Sequence, residues 1–143
     1  MKRMIVLAVV VLTAWGVPAA PSSAAGRIEV TLLGTQFAPQ WAQVVDDGGG
    51  VVWTNKEPTN YPVVIGNHNI VPDSVTAAAV PGSKPFPASS PVLKPGDSWT
   101  CESGDGGLVC MDIDGKAVKI PPGRYTYMCG IHPNQMHGVL GVS

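Results

Sequence analysis

Four side chains that can bind a metal lie close together near the C-terminus, in the segment YTYMCGIHPNQMHGVLGV. They are Cys129, His132, Met136 and His137, and they fall within nine residues between two stretches that are typical of β-strands. A thiolate, imidazoles and a thioether together form a mixed set of soft and intermediate ligands. Their spacing, in a loop that leaves a strand, predicts that sulfur and nitrogen atoms reach one ion.

The donor set favours copper over zinc. A structural zinc site needs four strong ligands and usually contains paired Cys-x-x-Cys elements, which this sequence lacks. The one histidine outside the C-terminal segment is His68. Two histidines and one cysteine in a trigonal arrangement, with a weak axial methionine, form the electron-transfer type of copper site. The sequence therefore predicts one copper ion that cycles between Cu(I) and Cu(II).

The three cysteines of the chain can form one disulfide and leave one thiol over. Cys101 and Cys110 bracket the segment ESGDGGLV, whose glycines and aspartate favour a turn between two strand-like stretches. We therefore predict a Cys101–Cys110 disulfide across a β-hairpin, with Cys129 as the remaining thiol. A disulfide from Cys129 to one of the other two cysteines is the alternative.

The first 25 residues have the three-part layout of a secretory signal peptide. Lys2 and Arg3 precede an apolar run, and small residues follow it up to Ala25. The sequence thus predicts a signal peptide over 1–25 and an exported domain over 26–143, located in a periplasm or outside the cell. No second hydrophobic segment follows, so we expect no stable membrane insertion after cleavage. An uncleaved N-terminal anchor is the alternative.

The charge of the predicted domain excludes one class of partner. Without Lys2 and Arg3, seven Lys and Arg residues stand against ten Asp and Glu residues, which gives a net charge of about −3. The sequence also has no run of basic residues. We therefore expect no binding to nucleic acid.

The remainder of the domain consists of short strand-like stretches separated by turn residues. Turn segments such as DDGGG, NKEPTN, KPGD and IPPG contain the Gly and Pro residues that interrupt strands. Only DSVTAAAV is compatible with a short helix. This pattern predicts an all-β antiparallel sandwich or barrel. The predicted strands are RIEVTLL, GVVWTN, YPVVIG, DSWTC, LVCMDID, YTYMC and GVLGV.

The C-terminal segment resembles the copper loop of the small blue copper proteins, the cupredoxins of the plastocyanin, pseudoazurin and amicyanin type. In that family a tyrosine-rich strand leads to Cys, then His, then Met, with Gly two residues later. Cys129, His132, Met136 and Gly138 match this pattern. VVWTN at 51–55 and NHN at 67–69 are similar to the family's upstream strand and upstream histidine.

The resemblance implies a Greek-key β-sandwich of about seven to eight strands. It implies a type 1 copper site held by His68, Cys129, His132 and Met136, and a role for Asn69 in tying the upstream loop to the cysteine loop. It also implies a one-electron carrier that serves protein redox partners and is not an enzyme. A copper chaperone or storage protein and a small copper oxidase or reductase are the alternatives.

His137 competes with Met136 for the axial position. Three residues separate His132 from Met136, one more than in amicyanin-like loops and one fewer than in plastocyanin-like loops. The second histidine also makes the loop similar to that of a red-copper cupredoxin, with His137 as an axial ligand. The Met-x-Gly pattern and the reach of a flexible thioether favour Met136. In that case, we expect His137 to lie beside the site.

Overall fold

The computed structural model describes residues 26–45, 49–60, 66–104 and 106–143. The predicted signal peptide and nearly all of the predicted strand YPVVIG lie outside these ranges. Within them, no helix is long and apolar enough to cross a membrane.

The described ranges contain eleven strands and one short helix. The chain order is β1 (Ile28–Leu33), β2 (Gln36–Ala38), β3 (Trp41–Val44), β4 (Gly50–Asn55), β5 (Val71–Pro72), α1 (Ser74–Ala79), β6 (Ser83–Pro85), β7 (Ser98–Gly104), β8 (Gly107–Met111), β9 (Ala117–Ile120), β10 (Gly123–Met128) and β11 (His137–Val142).

These strands form two sheets that face each other across one core. The first sheet has the order β2-β1-β4-β7-β8-β9, and the second has the order β3-β11-β10-β5 with β6 also paired to β10. The predicted all-β sandwich is therefore confirmed. Its purely antiparallel character is wrong, because β1 pairs with β4, β3 with β11 and β6 with β10 in parallel. In each of these pairs, the chain passes through the other sheet between the two strands. It can then return in the same direction, as a parallel pair requires.

Alternating side chains of the central strands fill the core. Val51 and Trp53 on β4 are fully buried, as are Val30 and Leu32 on the neighbouring β1. The Trp53 ring packs edge-on against Tyr127 of the opposite sheet, at a centroid distance of 5.6 Å. Aromatic packing of this kind fixes the two sheets relative to each other near the end of β10.

The strand count exceeds the expected seven to eight because several strands are very short. β2, β3, β5, β6 and β9 have only two to four residues each. In β2, for example, Phe37 and Ala38 pair with β1 before Pro39 ends the strand. Runs of this length carry too little alternation to be recognised in a sequence.

The segment 71–85, which follows the upstream histidine, supports the strand that precedes Cys129. β5 pairs with Tyr127 and Met128 at the end of β10, and β6 pairs with the same strand further back. Between them lies α1, the short helix that DSVTAAAV predicts, with Asp73 as its N-cap. This segment therefore joins the loop of His68 to β10, the strand that precedes Cys129.

Candidate metal centre

The structure brings together His68, Cys129 and His132 from two distant parts of the chain. Their ligand atoms lie within 4.8 Å of one another. The Cys129 Sγ atom is 3.7 Å from Nδ1 of His68 and 3.7 Å from Nδ1 of His132. Both imidazoles thus direct the same ring nitrogen towards one sulfur.

Cys129 is held by a compact turn that begins where β10 ends. Its backbone N–H donates to the carbonyl of Met136 at 3.0 Å, and its own carbonyl accepts the N–H of His132 at 3.2 Å. The N–H of Met136 donates in turn to the His132 carbonyl at 3.1 Å. These bonds fold the loop back on itself. Cys129, His132 and Met136 therefore lie at the same end of the sandwich.

His68 is fixed by the backbone of the segment before β7. Its N–H donates to the Leu93 carbonyl at 3.0 Å, and its carbonyl accepts the Leu93 N–H at 2.7 Å. Asn55, the buried last residue of β4, donates from Nδ2 to the carbonyls of Gly66 at 2.7 Å and Leu93 at 2.8 Å. One amide therefore ties the end of β4 to the histidine loop and to the segment that pairs with it.

The second ring nitrogen of His68 faces a carboxylate. Nε2 lies 3.2 Å from Oε1 of Glu57, whose side chain is only 8% exposed. Burial lowers the pKa of His68 below its ordinary value of 6.5, and the nearby His132 lowers it further. The Glu57 contact opposes this shift without cancelling it. A neutral imidazole is the form that binds a metal, so a lowered pKa favours ligation.

The two sulfur–nitrogen distances fit a small metal ion with trigonal ligands. Metal–thiolate and metal–imidazole bonds of about 2.3 and 2.0 Å, meeting at about 120°, separate sulfur from nitrogen by about 3.7 Å. Both sulfur–nitrogen distances have this value. A thiolate with two imidazoles is a donor set of the soft and intermediate class.

Asn69 joins the loop that carries His68 to the loop that carries Cys129. Its Oδ1 accepts the backbone N–H of Gly130 at 2.7 Å and lies 3.7 Å from the Cys129 Sγ atom. A Cβ atom on Gly130 would come within 3.1 Å of the same amide oxygen. The residue after Cys129 is thus in close contact with the residue after His68.

Met136 is completely buried and belongs to the same apolar cluster as Cys129. Its backbone is bonded to both Cys129 and His132, as described above. Met136 therefore lies at the same end of the sandwich as Cys129 and His132. This location suits an axial ligand on a flexible side chain.

His137 is not part of the three-residue cluster. Its Nδ1 lies 2.6 Å from Oδ2 of Asp73 and 3.5 Å from Oγ1 of Thr76, at the start of α1. The side chain is partly exposed. Met136, just before β11, is thus buried in the core, whereas His137, the first residue of β11, contacts the start of the helix.

The remaining two cysteines form a disulfide between β7 and β8. Cys101 and Cys110 are directly opposite each other in the hairpin, and Cys129 is the free cysteine of the described residues. The disulfide joins two adjacent strands of the first sheet, whereas Cys129 directly follows β10 of the second sheet.

Comparison with known proteins supports the fold. Neither a model of a known protein family nor a curated protein matches the sequence. Among solved structures, the copper-containing nitrite reductase NirK from Thermus scotoductus SA-01 matches 80% of this chain at 23% identity, with a TM-score of 0.51. The chain has a cupredoxin-like fold. It spans only 22% of the length of that reductase.

Amicyanin structures match over more of their own length. An oxidised proline-to-glycine mutant of amicyanin matches 86% of this chain and 88% of its own, at 21% identity and a TM-score of 0.48. A reduced proline-to-phenylalanine mutant of amicyanin matches 81% of both chains at 19% identity and a TM-score of 0.47.

Sequence reasoning missed three residues that surround the cluster in this cupredoxin-like fold. The sequence places Asn55 at a strand end and Glu57 in a turn, yet Asn55 contacts the His68 loop and Glu57 contacts the His68 ring. Asp73 belongs to the segment that predicts a short helix, yet it also binds His137. The one available signal is that Asn55 ends the VVWTN strand and Glu57 follows two residues later. Nothing in the sequence indicated that a histidine eleven residues further on folds back onto them.

Proposed function

We propose that the protein is an exported mononuclear type 1 copper protein that carries single electrons between redox partner proteins. The observation that carries this proposal is the buried sulfur of Cys129, with an imidazole nitrogen from each of two histidines 3.7 Å away. When bound, copper would supply a one-electron couple between Cu(I) and Cu(II).

The proposed ligands are Nδ1 of His68, Sγ of Cys129, Nδ1 of His132 and the thioether of Met136. Three of these residues are fully buried, which excludes water from the metal position. A weak axial thioether beside three strong donors is compatible with both oxidation states of copper. We propose His137 as a neighbour of the site and not as a ligand, because its Nδ1 is bonded to Asp73.

The surrounding hydrogen bonds support rapid electron transfer. Asn55 fixes the loop of His68, and Asn69 bonds the backbone next to Cys129. Polar contacts of this kind orient metal ligands and restrict their movement. A donor set that is held in one arrangement needs little rearrangement when an electron arrives or leaves.

His132 is the proposed point of electron entry and exit. Its ring is partly exposed, whereas that of His68 is fully buried. Pro133 and Asn134 are exposed beside it, and Ile131 is half-buried. A small, weak docking surface around one histidine suits partners that must bind and leave quickly.

The burial of the donors also favours a carrier over a copper chaperone. A chaperone passes its ion to an acceptor, so its ligands must be reachable by the ligands of another protein. Here Cys129, His68 and Met136 have no exposed surface. With Met136 bound, no coordination position remains open for a substrate, so we propose that the protein is not an enzyme.

Export is proposed from the N-terminal sequence and is compatible with the cysteine pattern. A Cys101–Cys110 disulfide persists in an oxidising compartment such as a periplasm. A free thiol at Cys129 is protected there if it is buried and bound to a metal.

Kinetics distinguish the carrier from a copper-handling protein. Mixtures of the Cu(I) and Cu(II) forms should exchange electrons rapidly, which NMR line broadening measures. Incubation with an excess of a Cu(I) chelator should remove the ion only slowly. Slow self-exchange together with rapid transfer of copper to the chelator would favour a chaperone.

A further inference from the structure

Glu57 places a nearly buried carboxylate directly behind the proposed ligand His68. Its side chain is 8% exposed, and Oε1 lies 3.2 Å from Nε2 of His68. The same oxygen accepts the backbone N–H of Gly34. The carboxylate thus contacts the ring nitrogen that is on the other side of the imidazole from Cys129.

We propose that Glu57 is a positioning residue that fixes the tautomer of His68 and biases the metal centre towards Cu(II). This inference rests on the proposed function, since it concerns the same centre. It adds a residue outside the ligand set that tunes the relative affinity for the two oxidation states.

The hydrogen bond determines which nitrogen of His68 is available. A carboxylate accepts a hydrogen bond and cannot donate one, so the proton of a neutral His68 ring resides on Nε2. The lone pair then resides on Nδ1, the atom that faces the Cys129 sulfur. Carboxylates that accept from a metal-bound histidine orient the ring and make it a stronger donor.

The charge of Glu57 acts in the same direction. Among the described residues, no Lys or Arg forms an ion pair with Glu57, and the adjacent Lys56 pairs with Glu29 at 3.0 Å. With the Cys129 thiolate bound, a Cu(II) centre carries one more positive charge than a Cu(I) centre. A nearby, poorly solvated negative charge therefore stabilises Cu(II) more than Cu(I).

Asn55 fixes the positions of Glu57 and His68 relative to each other. The backbone N–H of Glu57 donates to Oδ1 of Asn55 at 2.9 Å. Nδ2 of the same side chain donates to the carbonyl of Gly66, two residues before His68, and to that of Leu93, which pairs with His68. One buried amide thus fixes both partners of the Glu57–His68 contact.

The decisive variant is Glu57→Gln in the full chain loaded with copper. Both hydrogen bonds of Glu57 go to Oε1, and an amide oxygen can accept both, so the variant removes the charge and retains the geometry. We expect the blue absorption to persist while the ratio of Cu(II) to Cu(I) affinity falls about tenfold. For a one-electron couple this equals a rise of about 59 mV in reduction potential.

Glu102→Gln is the matched control. Glu102 is exposed and pairs with Arg27, and it faces Gly50 at the end of β4 that is opposite to Asn55. The substitution changes the net charge by the same amount but leaves the contact with His68 intact. We expect its potential to equal that of the unmodified protein.

Glu57→Ala tests the positioning role separately. It leaves Nε2–H of His68 and N–H of Gly34 without this acceptor, and we expect a loss of about 10- to 100-fold in Cu(II) affinity. Unchanged affinity in Glu57→Ala, or an unchanged potential in a blue Glu57→Gln protein, would overturn the inference while leaving the proposed function intact. If the unmodified protein shows no blue absorption, the proposed function fails and this inference fails with it.

Discussion

Nδ1 of His137 lies 2.6 Å from Oδ2 of Asp73, and this contact binds the imidazole to the start of α1. Asp73 is also the N-cap of that helix, since its Oδ1 accepts the backbone N–H of Thr76 at 2.9 Å. One carboxylate thus serves the helix with one oxygen and the histidine with the other. The histidine next to Met136 in sequence is therefore engaged away from the Cys129 cluster.

This relationship predicts unequal effects of substituting Met136 and His137. His137→Ala should leave the visible spectrum of the copper protein nearly unchanged. Met136→Ala should alter both the spectrum and the reduction potential, because it removes the proposed axial ligand. Absorption spectra of the two copper-loaded variants provide the test. A colour that depends on His137 and survives Met136→Ala would favour His137 as the axial ligand.

Asp73 should contribute stability that disappears in acid. Burial alone would raise its pKa, but hydrogen bonds from Thr76 and the contact with His137 outweigh burial and hold the pKa below 3.8. A lowered pKa stabilises the folded state above the unfolded value and loses this effect as the pH falls through the folded value.

Asp73→Asn isolates that contribution, because asparagine is an equally good N-cap. We expect the metal-free variant to be less stable by about 1–2 kcal/mol at pH 7, with the difference shrinking towards about pH 2. Urea unfolding at several pH values measures it. A difference that stays constant down to the lowest pH would contradict a role for the ionised carboxylate.

Gly138 should be required for the packing of Tyr127. A Cβ atom at this position would lie 2.4 Å from the Tyr127 ring, which is fully buried and cannot move aside. Gly138→Ala should destabilise the protein by about 1–3 kcal/mol through overpacking. Thermal unfolding measures the effect.

Gly141→Ala provides the matched control on the same strand. There the three atoms nearest to a Cβ atom belong to the end of the Gln43 side chain, which is exposed and can rotate away. We expect Gly141→Ala to be much less destabilising than Gly138→Ala. Equal losses of stability in the two variants would show that the rigidity of the contacted side chain, Tyr127 or Gln43, does not determine the loss.

Removing the disulfide should affect stability without affecting the metal centre. Cys101 and Cys110 are nine residues apart, and a loop of this size contributes about 2–3 kcal/mol by restricting the unfolded chain. The double variant Cys101→Ala, Cys110→Ala should therefore unfold at lower denaturant concentration yet keep its blue absorption. Loss of the absorption in a variant that remains folded would link the disulfide to the copper site.

The long strands could be predicted from the sequence because their alternation is strong. GVVWTN corresponds to β4, and YTYMC and GVLGV correspond to β10 and β11. The clustering of Cys129 with His132 followed from their spacing in one loop, and the Cys101–Cys110 pairing followed from the hairpin between them. In each case the signal was local, so no knowledge of the tertiary structure was needed.

The contacts of Glu57 and Asp73 could not be predicted because they depend on distant pairings. Glu57 meets His68 only because Asn55 bonds Leu93, which in turn pairs with His68 and holds it near the end of β4. Asp73 meets His137 only because β5 and β11 flank the same strand, β10. Sequence separations of eleven and 64 residues leave no periodic signal.

The central claim is that Cys129 binds copper together with His68 and His132. The most direct test is the visible spectrum of the purified protein during stepwise addition of Cu(II). We predict an intense blue thiolate-to-copper band that saturates at one equivalent and is absent from Cys129→Ser. Absence of the band from the unmodified protein, or its persistence in Cys129→Ser, would contradict the account.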